Sequence, residues 1–75
     1  MSTMHIQSDA TIEFILQQIS ETHDVWERHT HQKELAVYLS NNPEWVQKYW
    51  NDLDIRTKYY YHQMKAEKQQ ANESQ

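Results

Sequence analysis

The chain has no cysteine and no glycine, and its only proline is Pro43. Without cysteine there are no disulfides and no thiolate metal sites, two common reinforcements of a very small domain. Without glycine, the glycine-rich phosphate loops, the dinucleotide fingerprint and glycine hairpin turns are excluded. Apolar residues make up 37% of the chain, against the ~45–50% of ordinary soluble domains. No apolar run approaches the length of a membrane span. Met1–Asp9 has no lysine or arginine and no apolar stretch, so it does not read as a secretion leader. With no cysteine to oxidise, the composition suits a cytoplasmic protein.

Cations are also scarce where the chain begins. Met1–Glu27 holds five acids (Asp9, Glu13, Glu21, Asp24, Glu27) and no lysine or arginine. Arg28–Gln75 holds all seven basic residues against six acids, so -5 and +1 give the net charge of -4. The pI is about 5.6 and the mean hydropathy -1.08. A protein that binds nucleic acid through phosphates needs a positive field, and only the second half offers a modest one. With 75 residues there is room for one domain. A domain that small buries roughly 60% of its unfolded surface, so a partner or a second copy is a natural support.

The spacing of apolar residues is helical throughout, and no segment alternates as a strand would. Residues 1–8 are polar and read as a flexible arm. Asp9 is placed to cap a first helix whose stripe is Ile12, Ile15, Leu16 and Ile19. Ser20–Asp24 reads as a bend. Beyond it, either one helix runs over 24–40, or a short turn with Trp26 precedes a helix that starts after Thr30. The second reading is preferred, with Thr30 as cap and Leu35, Ala36 and Leu39 facing inward, Tyr38 at the margin. At Ser40-Asn41-Asn42-Pro43, an asparagine can close one helix in the left-handed conformation. Asn42 can cap the next helix, and Pro43 suits its first position. A third helix is then expected from Pro43 over about 25 residues, with Val46, Tyr49, Trp50, Leu53, Thr57, Tyr60, Tyr61 and Met64 on one stripe. The polar tail 66–75 is expected to fray. The fold class is all-α: a small three-helix bundle with a long C-terminal helix, the domain spanning 9–65.

Little in the sequence points to catalysis. His23, Asp24, His29 and His31 are crowded, but their spacing gives no shared helical face and no second cluster completes a zinc site. No cofactor is implied. No acid sits within an apolar run that would raise its pKa, and the core is too small for a dry pocket, so the protein reads as a non-enzyme. The aromatic residues are more telling. Trp26, Trp45, Tyr49, Trp50 and Tyr59–Tyr61 are a heavy load for so polar a chain. Trp45 and Tyr59 fall off the stripe of the third helix and read as interface residues.

The run Thr30-His31-Gln32-Lys33-Glu34-Leu35-Ala36-Val37-Tyr38-Leu39-Ser40-Asn41-Asn42-Pro43-Glu44-Trp45-Val46-Gln47-Lys48-Tyr49 resembles a helix-turn-helix DNA-binding motif. Ala36 is small where two helices cross, Leu35 and Leu39 pack inward, and Val46 returns to the core ten residues after Ala36. Ser40 stands where the family usually has glycine, and Asn41 where it usually has an apolar residue. In that family the second helix enters the major groove. The resemblance implies that Asn42, Glu44, Gln47 and Lys48 face DNA, with Gln32 and Lys33 near its backbone; Gln47 suits adenine and Lys48 guanine or phosphate.

Two functional readings therefore stand side by side. One is a DNA-binding regulator, dimeric through the third helix. The other is an acidic interaction module or inhibitor that docks on a basic, nucleic-acid-binding partner protein through Asp9, Glu13, Glu21, Asp24, Trp45 and Tyr59.

Overall fold

A computed structural model describes residues 8–73, with side chains up to Lys68. Most of the arm expected over 1–8 lies outside the described residues. The tail expected to fray over 66–75 is helical as far as Glu73, and residues 74–75 lie outside the description.

The described chain is all-helical, with no strand. Helix α1 spans Ala10–Glu21, α2 Val25–Asn41, α3 Val46–Tyr49 and α4 Ile55–Glu73. Single 3₁₀ turns, Pro43–Trp45 and Trp50–Asp52, flank α3. Asp9 caps α1, its carboxylate accepting the amides of Thr11 and Ile12. Asp24 caps α2 in the same way through Trp26 and Glu27.

That second cap corrects the division expected near Thr30. Once Asp24 has nucleated the helix, Thr30 lies inside it and its hydroxyl turns back to the Trp26 carbonyl at 3.1 Å, a bond that mid-helix threonines commonly make. The junction after α2 also differs from expectation. No described residue has a positive φ, so no asparagine is left-handed here. Asn42 caps backwards instead, donating from Nδ2 to the Tyr38 carbonyl at 2.8 Å, and makes no side-chain cap to the turn that follows. Pro43 does open that turn.

The single rod expected from Pro43 is broken. Leu53 is extended (φ -85, ψ 140). The carboxylate of Asp54 then takes the Thr57 amide at 2.8 Å and starts α4 afresh. Asn51, Asp52 and Asp54 are residues whose short polar side chains compete with helix for backbone groups.

Contacts fix the helix directions. Asp9 meets Tyr38 while Arg28 reaches the Thr22 carbonyl, so α1 runs antiparallel to α2. Gln32 meets Asp54 while Lys68 reaches Ser40 and Asn41, so α2 and α4 run parallel. The helical crossover 43–53 carries the chain back between them. The core is Ile12, Ile15, Leu35, Ala36, Leu39, Tyr49, Leu53 and Tyr61, with Leu16, Ile19, Val46, Trp50, Tyr60 and Met64 packed against it. The molecule is flat, 50 × 35 × 16 Å.

Candidate functional site

Two polar joints set the geometry. At one end, the Tyr49 hydroxyl accepts the Asp9 amide and donates to Glu13 Oε2, each at 2.8 Å. Tyr38 donates to the other oxygen of Asp9 at 2.7 Å. This hydrogen bond, reinforced by the amides of Ile12 and Thr11 and opposed by burial, holds Asp9 below the ordinary carboxylate range. The same bond raises Tyr38. Burial, then Glu13, raises Tyr49. At the other end, burial alone would raise Asp54, but the Thr57 amide, the Gln32 carboxamide and Arg56 outweigh it and hold the group low.

The residues that the helix-turn-helix resemblance implies are only partly brought together. Gln32 is withdrawn from any contact surface: it is 4% exposed, and its Nε2 donates to Asp54 Oδ2 at 2.7 Å. The carboxamide of Asn42 is engaged on the Tyr38 carbonyl. Glu44, Gln47 and Lys48 are exposed on the crossover. Lys33 is exposed too, but its ammonium lies 5.5 Å from the Tyr60 ring on the α4 side of α2. Lys48 instead lies 6.0 Å from the ring of Tyr49, whose hydroxyl reaches α1. The two lysines therefore leave the fold beside different helices.

The acidic set behaves differently. Asp9 and Asp24 are caps, and Glu21 accepts from Gln17 at 2.9 Å. Glu21 and Asp24 are exposed and Asp9 is partly buried. Trp45 is not a free interface residue: it is half-buried, packed on the core and 5.9 Å from the Tyr49 ring centre. Tyr59 is exposed, with its hydroxyl accepting from Gln63.

Comparison with protein families, curated proteins and solved structures finds no match. The surface itself must carry the reading. Among the described residues no helix is long and apolar enough to cross a membrane, and no group of three or more histidines and acids is placed to hold a metal. Two open grooves lie on the outward side of α2. One, about 490 Å³, is lined by Ile15, Lys33, Glu34, Val37, Tyr38 and Asn41, among others. The second, about 460 Å³, lies towards α4 beside Met64 and Lys68 and shares Val37 and Asn41 with the first.

Sequence reasoning passed over this face. Trp26, Thr30, Val37 and Asn41 stand at i, i+4, i+11 and i+15, an outward stripe visible only when α2 is continuous. Dividing the segment at Thr30 hid it. Phe14 on α1 and Ile55 on α4 are further exposed apolar residues.

Proposed function

We propose that the protein is a non-catalytic interaction module whose acidic α1 edge docks on a basic partner protein. One observation carries this reading. The outward row of α1 (Ala10, Glu13, Phe14, Gln17, Glu21) is exposed along its whole length, with Phe14 60% exposed between Glu13 and Glu21 in that row and no cation on the helix. Asp9 and Asp24 add charge at its two ends. The nearest guanidinium, Arg28, donates to the Thr22 carbonyl at the close of α1. An exposed aromatic anchor on an acidic, cation-free helix suits a partner that offers an apolar recess within a basic field.

The test is a titration with an amphipathic peptide built of lysine and leucine, followed by calorimetry. Binding that weakens with salt, and weakens about tenfold in Phe14→Ala and in Glu21→Lys, is expected. Absence of binding at low salt overturns the reading.

A DNA-binding regulator is the second reading, favoured by a different observation. Of the inward positions of the motif, Leu35, Ala36 and Leu39 are buried and Val46 packs partly buried against the core, while Glu44, Gln47 and Lys48 are exposed. Electrostatics count against it: the crossover carries Glu44 and Asp52 against Lys48, and Glu13 lies beside it through Tyr49. Mixed-sequence duplex DNA separates the two readings. A salt-dependent complex weakened by both Gln47→Ala and Lys48→Ala supports DNA binding and displaces the acidic-module reading.

A further inference from the structure

We infer that the protein pairs with a second copy of itself through the outward face of α2, about a two-fold axis parallel to that helix. The face carries two apolar side chains, Trp26 and Val37, that no other described helix covers. Trp26 is 76% and Val37 44% exposed, and both grooves meet at Val37 and Asn41. Burying such a face against a copy of itself suits a flat molecule whose core, among the described residues, holds eight buried apolar side chains.

Charge selects the occupant and the direction. Helix α2 lies between two helices of opposite character. Helix α1 carries Glu13 and Glu21 and no lysine or arginine, with Asp9 and Asp24 at its ends. Up to Lys68, α4 carries Arg56, Lys58, Lys65 and Lys68 against Glu67 alone. A two-fold axis along α2 lays the α1 side of each copy towards the α4 side of the other, but Glu13, bound by Tyr49, and Lys58, over the Trp50 ring, both turn to the crossover, so the charge match is made at the seam itself. An antiparallel pairing would instead set α1 over α1 and α4 over α4.

At the seam the parallel pairing sets unlike charges together. Lys33 lies on the α4 flank of the stripe, against Tyr60. Glu34 lies on the α1 flank, in the groove with Ile15 and Tyr38. In the parallel pairing Lys33 of each copy faces Glu34 of the other, while Thr30, Val37 and Asn41 each face their own counterpart. Lys33 and Glu34 are exposed, and the intramolecular partners Tyr60 and His31 (Nδ1 3.0 Å from Glu34) lie beside them on the same surface. The pairing leaves the outward row of α1 uncovered, so this inference and the proposed function fail independently.

Sedimentation equilibrium of the full chain, extended to concentrations on the order of 100 μM, is the first measurement. A reversible dimer is expected, weakened at least about tenfold by Val37→Arg and by Lys33→Glu. The double exchange Lys33→Glu with Glu34→Lys should restore association to within about threefold of the native chain. Because the chain lacks cysteine, Val37→Cys reports direction: it should oxidise to a disulfide-linked dimer by itself. A monomer throughout, a dimer indifferent to Val37→Arg but broken by Tyr59→Arg, or cross-linking that requires Thr30→Cys together with Val37→Cys would each overturn the inference. Circular dichroism of each variant, all at exposed positions, separates loss of pairing from loss of fold.

Discussion

Tyr49 is buried, yet its hydroxyl accepts from the Asp9 amide and donates to Glu13, tying the start of α1 to the crossover. Tyr49→Phe keeps the ring and leaves the Asp9 amide without its acceptor. It should cost about 1–2 kcal/mol, read as a lower urea midpoint at unchanged slope. Thr57 is the opposite case. Its side chain is fully buried, and the hydroxyl makes no well-formed hydrogen bond but lies by the Asp54 carboxylate, which it helps to hold low; the Oε1 of Gln32 has no partner. Thr57→Val exchanges this weakly engaged, buried hydroxyl for a methyl, so stability should stay within about 1 kcal/mol in the same measurement. Thr57 was legible as an inward residue because it completes the apolar spacing of its helix. Gln32 was not. A glutamine beside a lysine reads as surface, and only the distant Asp54, supplying an acceptor just before α4, turns it inward.

Among the elements, α1 follows its sequence closely, from the Asp9 cap to the stripe of Ile12 and Ile15. The start at Pro43 was equally legible, since a proline after two asparagines has few other places in a helical chain. The division expected at Thr30 has one physical origin, rival caps. Thr30 and Asp24 are both capable of starting a helix, and tertiary packing of Leu35 and Leu39 cannot discriminate between them. Asp24 wins because its carboxylate reaches two free amides, whereas the Thr30 hydroxyl is spent on the Trp26 carbonyl. Asp24→Ala should therefore cost about 1 kcal/mol and loosen the first turn of α2, visible as faster amide exchange at Trp26 and Glu27. The break at Leu53 was hidden because its apolar spacing continues smoothly through it. Asp54→Ala removes a helix cap and the partner of buried Gln32 together. A loss of about 2–3 kcal/mol is expected from thermal unfolding, more than from the cap at Asp24.

At the scale of the whole molecule, the two joints make stability depend on pH at both extremes. Asp9 and Asp54 are held below the ordinary carboxylate value in the folded chain. Their contribution is complete above that value, about pH 4, and is lost as pH falls through the lowered folded values. Tyr38 and Tyr49 are raised. Their contribution is complete below the ordinary phenol value of about 10 and is lost as pH rises through the raised folded values. Urea midpoints measured across pH should fall on both sides. Asp54→Asn should flatten the acid side, and Tyr38→Phe the alkaline side. The parallel course of α2 and α4 has a consequence for how the chain is made. The α1–α2 hairpin is complete at Asn41, but part of the lining of its inner seam, from Leu53, Thr57 and Tyr61, is supplied by later residues. Until that last segment has left the ribosome, the newborn hairpin carries an oily groove with no lid, and its survival rests on how quickly translation delivers the closing helix.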